Sequence, residues 1–199
     1  MIKDWKTYRD MALELAKSGM ILVYGDFCPE LEEVVHDCIF QVQKLGFKTA
    51  TLLINSNGGH TDSFAAIRGA MFQSGMEFTG LVLSRARSNG FRLLQLCKTR
   101  KSLSDAAFKF HWGYFRLENQ DLAALMAGNY RCVDHIIKWQ RAVLLDVHNR
   151  TGVSVHDLEQ FALYEVGFTA EEALLLNFID EIVSDLPVQI PDMEAELDT

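Results

Sequence analysis

Hydrophobic residues along this chain fall into short runs separated by longer amphipathic segments. "MILVYG" at 20–25, "TATLLIN" at 49–55 and "EFTGLVL" at 77–83 are apolar enough to be strands covered on both faces. Between the first two, "PELEEVVHDCIFQVQKLG" opens on Pro29 and closes on Gly46, the residues a helix favours at its start and just past its end. "HTDSFAAIRGAMFQSG" is the next helix, with Phe64, Ile67, Met71 and Phe72 expected on one face. Strand, helix, strand in repetition predicts an α/β fold of β-α-β units, with a parallel sheet and right-handed crossovers. Loops leaving the C-terminal ends of such strands are the usual place for chemistry, and "NSNGGH" and "SRARSNG" both fall there.

Further along, "AAFKFHW" at 106–112 alternates as a strand. A long helical pattern follows over about 118–148, with Gly128 placed to bend or interrupt it. Capping-box patterns at Ser154 ("SVHD") and Thr169 ("TAEE") open two shorter helices, and "FIDEIV" reads as a last strand. Beyond Asp185 come two of the three prolines together with Asp192, Glu194, Glu196 and Asp198. One domain is therefore expected over 1–185, followed by an acidic, disordered tail at 186–199.

Charge and cysteine usage narrow the function classes. A formal net charge of −8 argues against a protein built to neutralise nucleic-acid phosphates or to lie on an anionic membrane. Cys28, Cys38, Cys97 and Cys132 show no CxxC or Cys/His ligand spacing, so reduced thiols are expected and no metal is implied. The first apolar run is too short for a signal sequence or a membrane span, which leaves a cytoplasmic location as the expectation.

Three features bear chemistry. Ser88 stands at a strand-to-helix transition, followed by Asn-Gly and the helical "FRLLQLC", where first-turn N–H groups have no helical partner. It reads either as a helix N-cap or as a hydroxyl poised beside free amides. Gly58 and Gly59 follow a strand directly, as a tight structural turn or as a close backbone approach to a ligand. Neither a Walker loop nor a dinucleotide fingerprint is present, since no Lys-Ser/Thr follows and a third glycine is missing. His111 lies on the "AAFKFHW" strand, as a core histidine or as a general base, and His60 is the other histidine close to a candidate loop.

Taken in order, these pieces resemble the proteolytic subunit of the Clp protease family, serine peptidases of the crotonase-like fold. "LLINSNGGHTDSFAAI" is similar to the family's INSPGG loop and following helix, with Asn57 in place of the proline. "ARSNGFRLL" resembles the nucleophile motif AASMGAFLL, "FKFHWG" the MIHQP segment, and the stretch from Thr151 to Val183 the C-terminal segment with its SAEEA…GLID helix. The resemblance implies a superhelix of β-α-β units with a long handle helix. It implies Ser88 as nucleophile, His111 as general base and then acid, Glu165 where the family has its orienting aspartate, and the N–H groups of Gly59 and Asn89 as the oxyanion hole. Asp157 and Glu159 are alternative acids on the preceding helix. It also implies unfolded polypeptides or peptides as substrates, no cofactor, a homo-oligomer of two stacked seven-membered rings, and an ATP-driven AAA+ unfoldase as partner.

The alternative within the family is a catalytically weak or inactive subunit of structural or regulatory role. Large or polar residues surround the nucleophile: Ser84 stands for a glycine, Arg87 for an alanine, and Phe91 and Arg92 for an alanine and a phenylalanine. A third reading, acyl-CoA chemistry of the crotonase type, shares the architecture and its paired amides but has no use for the Ser88 and His111 pair.

Overall fold

In the computed structural model, which describes residue 2 and residues 4–185, the chain divides into two compact units. One comprises the chain up to Lys109 and again from Gly167, the other Phe110–Val166. The expected tail at 186–199 lies outside the described residues. The first unit runs α1 (Trp5–Ala16), β1 (Met20–Tyr24), α2 (Pro29–Lys44), β2 (Thr49–Ser56), α3 (Thr61–Ser74), β3 (Glu77–Arg87), α4 (Asn89–Gln95), β4 (Thr99–Leu103) and β5 (Ala107–Lys109). The second holds α5 (Asn119–Met126), a 3-10 turn (Tyr130–Val133), α6 (Asp134–Thr151) and α7 (Val155–Leu163). The chain then returns to the first unit with β6 (Gly167–Phe168), α8 (Ala170–Leu175) and β7 (Glu181–Val183).

The sheet of the first unit runs β1-β2-β3-β4-β7, every neighbouring pair parallel, with β5 beside the far end of β3 and the short β6 antiparallel to β5. This is the mostly parallel α/β architecture expected from the alternating pattern. Ile21, Leu22 and Val23 of β1 and Leu52, Leu53 and Ile54 of β2 are fully buried. Each such aliphatic side chain contributes about 1.5–3 kcal/mol relative to exposure. The length of β3 is what positions the candidate site. Its Thr79–Val82 stretch pairs with β4 and its Arg85–Arg87 stretch with β5, so the strand carries the chain beyond the main sheet. Between Ile54 and Ser56 the β2–β3 register shifts, from Ile54 opposite Val82 to Ser56 opposite Ala86. Two residues further on, Gly58 meets Ser88.

Several expectations are corrected. Phe72 is 66% exposed, while Phe64, Ile67 and Met71 are buried. At about 100° per residue, position 72 has rotated off the stripe that the other three share. The strand expected at 106–112 ends at Lys109, so His111 lies beyond it. The long helical pattern is two helices: Gly128, at φ 76°, ends α5 in the left-handed conformation, with Asn129 N–H donating to the Ala124 carbonyl at 2.9 Å. In the second unit α6 packs with α7, and Val143, Leu144 and Val147 of α6 are buried, as are Leu158 and Ala162 of α7. The capping box at Thr169 forms as read, Thr169 exchanging bonds with Glu172, whereas at Ser154 only half of it forms: Ser154 Oγ accepts from Asp157 N–H at 3.0 Å, and the Asp157 carboxylate turns to the Ser154 hydroxyl instead of its backbone N–H. Among the described residues no helix is long and apolar enough to cross a membrane.

Candidate active site

Ser88 occupies the junction of β3 and α4 at φ 51° and ψ −120°, a conformation in which a side chain is strained. It stands at the N-cap position, yet its hydroxyl makes no capping hydrogen bond. The junction is held from outside the side chain: Ser88 N–H donates to the Lys109 carbonyl on β5 at 3.0 Å, and the Ser88 carbonyl accepts from Arg92 N–H at 3.1 Å. The helix behind it is anchored by Phe91, Leu93 and Leu94, all fully buried. The backbone is thus fixed by strand and helix, and Ser88 is left half-exposed at the tip of the turn.

The glycine loop lies against this tip. A Cβ on Gly58 would come 2.5 Å from Ser88 Cβ and 3.0 Å from its Oγ, and a Cβ on Gly59 would come 2.5 Å from the Phe27 carbonyl oxygen. Gly90 is constrained less severely, a Cβ there sitting 3.1 Å from the Ser56 carbonyl. These positions take glycine because the loop, the elbow and the 25–28 connection run in backbone contact, with φ of 103° at Gly58 and 132° at Gly59. Phe27 straps the loop from behind: its N–H donates to the Gly58 carbonyl at 2.6 Å and its carbonyl accepts from His60 N–H at 2.9 Å. In a trans peptide the carbonyl and the following N–H point in opposite directions. With Gly58 C=O turned toward Phe27, Gly59 N–H is therefore turned away from it. Neither Gly59 N–H nor Asn89 N–H donates to a backbone acceptor among the described residues, and Asn89, first in its helix, has no partner within it.

His111 and Glu165 belong to the second unit. Glu165 follows α7 with φ 50°, and Val166 N–H donates to the Phe161 carbonyl at 3.0 Å, so a glutamate holds the left-handed helix-end position that glycine normally takes. Its carboxylate accepts from the Tyr114 hydroxyl at 2.6 Å, and the Tyr114 ring lies 5.3 Å from that of His111. The bond to Glu165 pushes the Tyr114 phenol above its ordinary range, because ionisation would set two negative charges face to face. The Asp157 carboxylate accepts from the hydroxyl of the N-cap residue Ser154 at 2.6 Å, within the first turn of its own helix, and is committed there.

Ser88, Asn89 and Gly59 are thus gathered in the first unit, and His111 and Glu165 share Tyr114 as a neighbour in the second. Sequence reasoning missed Ser56, buried, whose Oγ accepts from Gly58 N–H at 3.1 Å. It also missed the side chain of Asn89, which donates to the Gly59 carbonyl at 2.9 Å, and it missed Tyr114. Ser56 was open to detection as the polar end of an apolar strand just before two glycines, whereas nothing local marks Tyr114. Of the large residues around the motif, Phe91 points into the core, edge-on to Phe178 at 5.0 Å, and does not crowd the tip.

A protein-family model described as Clp protease matches residues 4–185. No curated protein matches the chain significantly. Because that match takes in the glycine loop, the strained serine and the parallel sheet that presents them, the chain belongs to the Clp protease family.

Proposed function

We propose that this protein is a serine endopeptidase subunit that hydrolyses peptide bonds through Ser88, His111 and Glu165, with the two units acting as one peptidase domain over 1–185. The observation that carries this reading is Ser88 itself. A serine is kept in a conformation that disfavours it, at a helix N-cap where its hydroxyl does not cap, against a glycine loop with an outward N–H. A structural cap would use the hydroxyl and relax the backbone.

In this reading Ser88 Oγ attacks the scissile carbonyl carbon while His111 takes its proton. The oxyanion that forms accepts from Gly59 and Asn89 N–H, each donor being worth about 3 kcal/mol of barrier. Collapse expels the amine, protonated by His111, and leaves an acyl group on Ser88. Water, deprotonated by the same imidazole, then attacks the ester and releases the acid. This route requires Glu165 to accept from the other ring nitrogen of His111 and so fix its tautomer. A carboxylate has lone pairs enough to serve His111 and Tyr114 together. Family membership further supports peptides or unfolded chains as substrates, a ring-shaped homo-oligomer enclosing the sites, and an AAA+ unfoldase as partner.

The test is hydrolysis of an unstructured protein and of short fluorogenic peptides by the assembled protein. Turnover that vanishes in Ser88→Ala and His111→Ala and falls at least tenfold in Glu165→Gln is expected. Absence of turnover in every assembly state would assign the chain a structural role in the family instead.

A further inference from the structure

We infer that Arg92 and the side chain of Asn89 form a polar clamp that holds the glycine loop in the orientation the oxyanion hole requires, making both side chains positioning residues for acyl transfer. The inference rests on the peptidase reading for its catalytic consequence, but its structural content stands on the first unit alone. Two successive peptides, 58–59 and 59–60, present four polar ends. Gly58 C=O is taken by Phe27 N–H at 2.6 Å, His60 N–H by Phe27 C=O at 2.9 Å, and Gly59 C=O by Asn89 Nδ2 at 2.9 Å. The end left over is Gly59 N–H, the proposed oxyanion donor.

The backbone strap alone does not secure this outcome. Both residues are glycines at positive φ, where rotating a peptide plane meets little steric resistance. A flipped 58–59 peptide would turn a carbonyl oxygen, rather than a donor, toward the site. Asn89 fixes the adjoining 59–60 peptide from the side opposite Phe27, so the 58–59 peptide, whose carbonyl Phe27 N–H holds, cannot turn over by letting its neighbour swing with it. The orientation of its own amide is settled by Arg92, whose Nη1 donates to Asn89 Oδ1 at 2.8 Å. A guanidinium only donates, so Oδ1 must face Arg92 and the NH2 group must face Gly59. Turning the amide over would set donor against donor and acceptor against acceptor. Asn89 is 4% exposed, so little water is at hand to replace either bond.

Arg92 is held in turn. Its guanidinium lies 4.3 Å over the ring of Phe64, and Phe64 packs edge-on against Phe27 at 6.0 Å. Phe27 is the residue whose backbone straps the loop from behind. Clamp and strap therefore close on each other through one aromatic pair, and the loop is caught between them. The motif that this chain resembles has methionine and phenylalanine where Asn89 and Arg92 stand, so the clamp is built from two of the polar substitutions that distinguish this sequence.

The experiment compares the wild-type protein, Asn89→Ala, Arg92→Leu, Arg92→Lys and the Asn89→Ala/Arg92→Leu double variant. Amide hydrogen exchange at His60 is measured on each without reference to activity, and kcat and KM are measured on a fluorogenic peptide. Faster His60 exchange in both single variants is expected, with kcat lowered about 10- to 100-fold, since a mobile loop loses part of one oxyanion donor's effect. KM should change little, because both side chains are engaged within the fold, Asn89 with Gly59 and Arg92 with Asn89 and Phe64. The double variant should fall no further than either single one, as two parts of one device do. Arg92→Lys, which keeps a donor within reach of Oδ1, should recover most of the rate and of the protection. Unchanged His60 exchange in folded Asn89→Ala and Arg92→Leu would overturn the clamp. Altered exchange in a protein inert toward every peptide would uphold the clamp and remove the peptidase reading instead.

Discussion

Ser88 is the residue at which local structure and proposed chemistry pull apart, and the opposition is measurable as stability. At φ 51° and ψ −120° its backbone lies where a Cβ clashes with neighbouring backbone and glycine does not. Residues held in such regions carry about 1–3 kcal/mol of strain. Ser88→Ala removes the hydroxyl and keeps the Cβ, so the strain stays. Ser88→Gly removes both, at the expense of about 0.5–1 kcal/mol of extra chain entropy in the unfolded state. The glycine variant should therefore be as stable as the alanine variant or more stable, by up to about 2.5 kcal/mol. With a urea dependence near 2 kcal/mol per molar, that is a midpoint higher by up to about 1.2 M. Unfolding is followed by tryptophan fluorescence, Trp5 reporting on the first unit and Trp112 and Trp139 on the second, at one protein concentration so that assembly contributes equally. Both variants should lack turnover. A glycine variant less stable than the alanine variant would show that the elbow stores no strain beyond the entropy cost and would remove the main argument that the site is kept for function.

Arg100→Met should lower stability by about 3 kcal/mol, seen as an earlier urea midpoint, because it leaves partners of a buried charge behind. The Arg100 guanidinium, 1% exposed, donates to Gln95 Oε1 at 2.9 Å and to the Asn177 carbonyl at 2.7 Å, and pairs with Asp180 at 2.5 Å, tying the connection between α8 and β7 to β4. Asp180→Asn, which keeps an acceptor in place, should lose less. Tyr114 should ionise above the usual tyrosine range, read as the difference at 295 nm between wild-type and Tyr114→Phe titrations. The protonated phenol donates to Glu165 and its anion cannot, so Glu165→Gln should bring that ionisation down.

Much of this architecture is written locally. Pro29 and Gly46 bracket α2 to within two residues, and the apolar runs from Met20, Thr49 and Glu77 are the first three strands of the sheet. β4 was illegible for a reason visible in its burial: "TRKSL" turns Arg100 and Ser102 inward. A polar inward face is stable only because Asn177 and Asp180, far along the chain, receive the arginine, and no window of local sequence contains that pairing. Phe72 misled in the opposite sense, an apolar side chain left 66% exposed on α3.

The candidate site divides in the same way. Glycines directly after a strand and a serine at a strand-to-helix turn can be read off their neighbours, because steric demands act over a few residues. The strained torsions of Ser88, the register shift that sets Gly58 beside it, and the Asn89 bond to Gly59 depend on strands brought together by the fold. The positive φ of Glu165 belongs with these: its helix ends on a pattern that ordinarily calls for glycine, and the sequence there offers only Tyr-Glu-Val.

A peptidase of this kind requires Ser88 Oγ to be activated toward an electrophile, and a fluorophosphonate probe reads that directly. The assembled protein is incubated with the probe, digested, and the modified residue located by peptide mass spectrometry. A single adduct on Ser88, absent in Ser88→Ala and formed far more slowly in His111→Ala, is the predicted result; a folded, assembled protein whose Ser88 stays unmodified at probe concentrations that label other serine peptidases would contradict it.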